Sequence, residues 1–500
     1  MTQDVVLSSS LSWQQIAAVA NGARLALAPE ARDRIVKARK IVDALVERGI
    51  KGYGINTGVG ALCDVIIDRD RQQALSHNIL MSHACGVGEP LGQVETRAVM
   101  AAQINNFAHG ASGVRIEVVD ALLALLNANC IPVVPSRGSV GYLTHAASIG
   151  LVLIGHGHAV QGDVRMTGAE TCRQIGISPL RLEAKEGLSL VNGTPCATGL
   201  ACMALSRLQL LMGWADTAAA LSAENLGCQI TAFSEKALGL RKSDGLQKVG
   251  RILRDYLGDS PMLAASAGKR TQDPLSVRAV PHVHGAVRDL FDNTVETVER
   301  ELASVTDNPA VSGDATSPEV HSEAHAVGAA LGLVLDGLAV AAAELAAISE
   351  RRIDRLVNPM VSGLPAFLVP ESGVCSGYMI AQYTAVALVA ENRRLAAPAS
   401  LDGGITSALQ EDILTHATPS AWKLLGILDN LETVLGIELL AAAQAYDLRA
   451  EDVAPAKRTG KVYANIRTVV PSYRDDRPMH DDFNAIRTFM KATFINQEIG

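Results

Sequence analysis

The sequence predicts a mainly α protein, a bundle of long helices with a small α+β part at its N-terminal end. Apolar residues recur at i, i+3 and i+4 from about Arg69 onward, and Gly199–Leu226, His325–Leu356 and Trp422–Leu448 each keep that spacing for about thirty residues. Aromatic residues are only 4% of the 500, against 48% hydrophobic, so the core is built from Ala, Leu and Val, which suits close-packed helices. The small strand-like elements and a glycine-rich loop fall early. Residues 1–200 therefore read as the N-terminal part and 201–500 as the long-helix part of one continuous subunit.

In chain order, Val5–Ser8 is a short β-like run, and SWQQIAAVANG opens a helix at Ser12. PEARDRIVKARKIVDALVERG is a second helix ending at Gly49. KGYGINTGVGALC follows as a loop, its glycines letting the backbone turn sharply around Tyr53. The long helical segments occupy most of the remainder, interrupted by Ser304–Val320, a polar glycine-bearing stretch expected to be an exposed loop. PSYRDDRPMHDDF then leads into a last amphipathic helix. No short repeat or low-complexity linker divides the chain.

A net charge of −8 argues against a nucleic-acid or anionic-membrane partner, because both need a basic face. Eight cysteines without a CxxC pair read as buried thiols in a reducing compartment, and no secretory leader is visible, so the expected location is the cytoplasm. The apolar runs Gly138–Gly162 and Ala326–Ile348 are broken by polar or acidic residues and are not read as membrane spans. His156/His158 and His282/His284 lack partners at metal spacing, and no phosphate-loop, dinucleotide or GxSxG signature is present.

What remains is a set of polar residues in apolar surroundings: Tyr53, Ser82, His83, Asn192, Gln272, Arg278, Asn308 and Glu411. Singly, each has a structural reading as a loop anchor, satisfied core histidine, cap or ion-pair partner. Jointly, a shared polar site explains why so many costly groups are kept. The ordered blocks GINTGVG, SHACGVGEPL, PSRGSVG, KEGLSLVNGT, QDPLSVR, ELASVTDNP, SERR, GLPAFLV, SGYMIAQ and QED resemble the histidine and phenylalanine ammonia-lyase superfamily, from about Tyr53 to DDRPMH. The resemblance implies a helical homotetramer whose active sites combine loops of several subunits. It also implies elimination of an α-amino group and a β-proton from an aromatic amino acid.

By that resemblance Tyr53 would be the general base, needing a depressed pKa to act near neutral pH. Arg278 would clamp the substrate carboxylate with help from Asn308, Asn192 and Gln272 would orient the reacting centre, and Glu411 would face the amine or the ring. The pair Ser82-His83 matches the imidazole-binding members. Most members carry a methylidene-imidazolone made from an Ala-Ser-Gly tripeptide directly after a GSVG-like segment. Here Gly141 is followed by Tyr142-Leu143-Thr144-His145, three residues short of the pattern, and Ala111-Ser112-Gly113 lies upstream of that position.

Either the matured group is missing from the written sequence, or the protein never makes it. Leu275, Glu323, Ala324, Leu409 and Ile413 also depart from the family blocks, which favours the second. The expected function is then an ergothionase-like lyase with no prosthetic group, removing trimethylamine from ergothioneine to give thiourocanate. Tyr142 would offer a π-face to the trimethylammonium, and Glu323 or Glu411 would offset its charge. The alternatives are a methylidene-imidazolone-dependent histidine ammonia-lyase giving urocanate and ammonia, and an inactive binding paralogue.

Overall fold

The computed structural model describes residues 4–401, 403–449 and 453–493. Its helices dominate and three are very long: Pro195–Asn225 and Ala417–Asp447, of 31 residues each, and Ala329–Val357, of 29. The mainly α class read from the sequence is the fold observed. The third helix begins at Ala329 rather than at His325, because residues 322–328 form a loop that the active site uses.

Two compact units divide the contacts. The first comprises residues 1–206, 294–336 and 398–425; the second comprises 207–293, 337–397 and 426–500. The division is thus no single cut at residue 200, since two later segments return to the first unit.

In the first unit, Ser12 caps the Trp13–Ala20 helix with a full capping box to Gln15. Val5–Leu7 pairs in parallel with Leu25–Leu27, a second strand that sequence periodicity does not reveal in three residues. The Gln93–Ala108 helix is buried on nearly every side, so it has no polar face to betray its period. Close approach between helices relies on missing side chains. A Cβ on Gly187 would lie 2.2 Å from the Ser76 carbonyl oxygen, and one on Gly199 would lie 2.7 Å from backbone atoms of Ala98 and Val99. Glycine at these points lets Glu186–Val191 sit against Gln72–His83, and Pro195–Asn225 against Gln93–Ala108.

Two small antiparallel ladders position functional loops. Val87–Pro90 pairs with Pro135–Arg137, Val87 opposite Arg137, which draws the end of the Gln72–His83 helix toward the 138–142 loop. Residues 304–320 are not a plain exposed loop. They contain most of a hairpin, Ala310–Gly313 with Pro318–His321, in register Ala310 to His321, and Val311 is buried.

The second unit buries two carboxylates, Glu438 and Asp216, in networks of donors. Glu438 accepts from Arg352 (2.6 and 2.9 Å), Ser222 (2.7 Å) and Ser349 (2.6 Å). Asp216 accepts from Arg288 (2.5 Å) and pairs with His284 (2.8 Å). Buried charge is tolerated only with such pairing. His284 is therefore tied to an acid, as a structural reading of the HVH pair requires.

All eight cysteines are free, and Cys130, Cys172, Cys196, Cys202 and Cys228 are buried; Cys85 is exposed, and Cys63 and Cys375 are partly so. Glu186–Asn225 and Ala329–Val357 are long and apolar enough to cross a membrane by length and composition. The apolar stretch of the first is wholly buried within the protein and that of the second 61% buried, so packing accounts for much of their apolarity.

Candidate active site

A cavity of about 640 Å³ opens in the first unit and gathers residues from seven separated stretches of chain. Tyr53, Gly60 and Cys63 come from the glycine-rich loop, His83 from the end of its helix, and Tyr142 and Leu143 from the loop after Gly138. Asn192 comes from the end of the Glu186–Val191 helix, Asn308 and Glu323 from either side of the hairpin, and Gln410, Glu411 and Asp412 from the 406–413 loop. Seven residues expected to act together, Tyr53, His83, Tyr142, Asn192, Asn308, Glu323 and Glu411, do line one space. Ser82 is exposed and outside the lining, but its Oγ lies 3.0 Å from His83 Nδ1 and so orients that ring. Gln272 and Arg278 are not among the lining residues. Arg278 donates to the Asp273 carbonyl of its own loop and has no ion-pair partner among the described residues.

Local backbone explains the placements. Gly60, at φ +57°, presents its N–H to the Tyr53 hydroxyl, which accepts at 2.8 Å. A Cβ there would meet Ser407 Oγ at 2.2 Å, so only glycine lets the two loops close on the tyrosine. Ser407 Oγ in turn accepts from the Ala61 N–H at 3.0 Å. Ser407, Ala408 and Leu409 have φ of 52°, 50° and 77°, three consecutive left-handed residues, each costing about 1–2 kcal/mol.

Leu143, at φ 75° and ψ −75°, forms the rarer, strained γ-turn hand beside Tyr142. Ser139 Oγ donates to the Tyr142 carbonyl (2.9 Å), and Thr418 donates to that of Gly141 (3.0 Å), which fixes the loop in this form. Strain held by surrounding bonds is typical of functional loops.

The hairpin register places Asn308 and Glu323 two residues outside a paired couple, and they meet: the Glu323 N–H donates to Asn308 Oδ1 at 3.0 Å. Asn192 Nδ2 donates to the Asn308 carbonyl at 2.5 Å. The asparagines thus brace each other and the Glu323 backbone. Behind them Lys185, fully buried, is held by Asp307 (3.0 Å) and Ser189 (2.8 Å).

Electrostatics departs from expectation at Tyr53. Burial pushes its phenol above the ordinary value, the Gly60 N–H opposes that, and Glu411 and Cys63 raise it further. A base that needs a depressed pKa is therefore not pre-formed in the single chain. Tyr142 is raised by burial and then by Glu411 and Tyr53. His83 is lowered by burial, against the Ile79 carbonyl, and is neutral near pH 7. Cys63, Gln410 and Asp412 also line the cavity. The last two flank Glu411 in its QED block, a signal available in the sequence; Cys63 sits ten residues past Tyr53 with nothing to mark it.

The model of the aromatic amino acid lyase family matches residues 11–468. The chain belongs to the aromatic amino acid lyase family. This lyase is 43% identical to the histidine ammonia-lyase of Symbiobacterium thermophilum over 487 residues, 96% of this chain and 95% of the relative. Among solved structures it is similar to histidine ammonia-lyase from Trypanosoma cruzi, with TM-score 0.92, 34% identity, and 99% and 95% of the two chains covered. It is also similar to the ergothioneine-degrading ergothionase from Treponema denticola, with TM-score 0.90, 28% identity, and 97% and 99% covered. It is a carbon-nitrogen lyase of the histidine ammonia-lyase family.

These matches overturn the expectation of a site with no prosthetic group. A chain this similar to a histidine ammonia-lyase over its whole length stands with the members that, by the resemblance, carry a methylidene-imidazolone. The residues present do not themselves fit that group. Gly141 is followed by Tyr142 and the strained Leu143, with no Ala-Ser-Gly between.

Proposed function

We propose that this lyase eliminates ammonia from histidine, giving urocanate. The observation that carries the reading is the 43% identity to a histidine ammonia-lyase over 96% of the chain, joined to a cavity lined by a histidine, His83, that is neutral and held by Ser82. A neutral imidazole both donates and accepts, so it can pair with the substrate ring without repelling it. Tyr53 stands at the cavity wall as the group to take the Cβ proton, and departure of the amine from Cα completes the double bond. Arg278 and Gln272 serve the substrate carboxylate from a second copy of the chain in a homotetramer. An exposed apolar stripe on the Met379–Leu395 helix, Ile380, Tyr383 and Val386, supports burial against another copy.

A second reading is trimethylamine loss from ergothioneine. It is favoured by Tyr142, a π-face on the cavity wall suited to a quaternary ammonium, and by the likeness to the Treponema enzyme. Incubation with histidine and, separately, with ergothioneine distinguishes the two. Ammonia and urocanate absorbance from histidine are expected. Trimethylamine from ergothioneine alone would replace the first reading with the second, and no product from either would leave a binding protein.

A further inference from the structure

The cavity has a one-sided charge. Glu323, Glu411 and Asp412 line it, and among the described residues no Arg or Lys does and His83 is the only imidazole. Glu323 Oε1 and Glu411 Oε2 are both buried without a hydrogen-bond partner. Glu323 Oε2 is occupied by the His325 backbone and ring, so the free oxygen is the one left for a ligand. Lys185, a buried cation that feels Glu323, is committed to Asp307 and Ser189. A buried carboxylate oxygen lacking a donor is costly, and two on one cavity, carried by different loops, call for a ligand with several N–H donors and a positive charge. A primary ammonium has three such donors, whereas a quaternary one has none.

We infer that Glu323, held by Asn308, joins Glu411, which the family resemblance already turns toward the amine or the ring, in binding the substrate's α-ammonium group, and determines specificity for a ligand carrying an N–H cation. The inference rests on the proposal that the substrate is histidine-like, and it adds which group the acidic wall recognises. Asn308 positions Glu323 through its backbone N–H, instead of reaching the substrate carboxylate itself.

The test is calorimetric binding of histamine and of 4-methylimidazole at about pH 8.5, where an imidazole is largely neutral and an aliphatic amine is charged. Neither probe carries a carboxylate, so Arg278 does not enter. The native protein is expected to bind histamine at least about tenfold more tightly, a difference of about 1.4 kcal/mol. Glu323→Gln should bring the ratio close to one and leave 4-methylimidazole affinity unchanged. Should that variant fail to fold, Glu411→Gln reads the same wall from the opposite loop. No preference in the native protein, or an unchanged ratio in the folded variant, overturns the inference. Histidine turnover is measured alongside. Preference without turnover retains the cation site and removes the proposed function, and turnover without preference does the reverse.

Discussion

Tyr53 sits where burial and a carboxylate both oppose its ionisation, so its use as a base has a measurable signature. Glu411 disfavours the phenolate and raises its pKa; neutralising Glu411 removes that contribution and lowers it. If the phenolate form takes the proton, the rate rises with pH through the Tyr53 pKa. Glu411→Gln is therefore expected to move the rising limb of kcat/KM to lower pH, whatever it costs in absolute rate. An unmoved limb would remove Tyr53 as the titrating group. Tyr53→Phe leaves the Gly60 N–H without its acceptor and deletes the proton acceptor, and is expected to lower kcat by about 10²–10⁴-fold with a smaller change in KM. Tyr53, His83 and Glu411 were legible in the sequence because they stand in distinctive blocks. The direction of the Tyr53 shift was not, since it depends first on burial and then on a carboxylate more than 350 residues away in the chain, both set by the fold.

At the scale of elements, the long helices were readable because their apolar spacing repeats over many turns. The hairpin of residues 310–321 was not: its strands are four residues long, and the polar turn dominates the composition. That hairpin matters most for the site, because its register is what joins Asn308 to Glu323. The helix contacts beneath the cavity rest on glycine. Gly187→Ala would drive a methyl into the Ser76 backbone and push Glu186–Val191 from the helix that carries Ser82 and His83. Overpacking of this kind costs about 1–3 kcal/mol. A lowered thermal midpoint is expected, with histidine affinity lost in step because Asn192 caps the displaced helix. An unchanged midpoint would show that the two helices can separate without strain.

At the scale of the whole molecule, the cavity supplies groups for a ring, a cation and a β-proton but none for a carboxylate. The missing cation has a candidate in Arg278, half-buried and without an ion-pair partner among the described residues. Symmetric oligomers make such sharing general, since each copy both lends and borrows the same residue. Co-expression of Tyr53→Phe with Arg278→Ala, each carrying a different tag, tests it. Either variant alone should be near background. If Tyr53 and Arg278 of one site come from different copies, random mixing leaves about one quarter of the sites with both native residues, and doubly tagged oligomers should recover about that share of native activity. If each chain supplies both residues to its own site, mixing recovers nothing, because every site then carries one of the two substitutions.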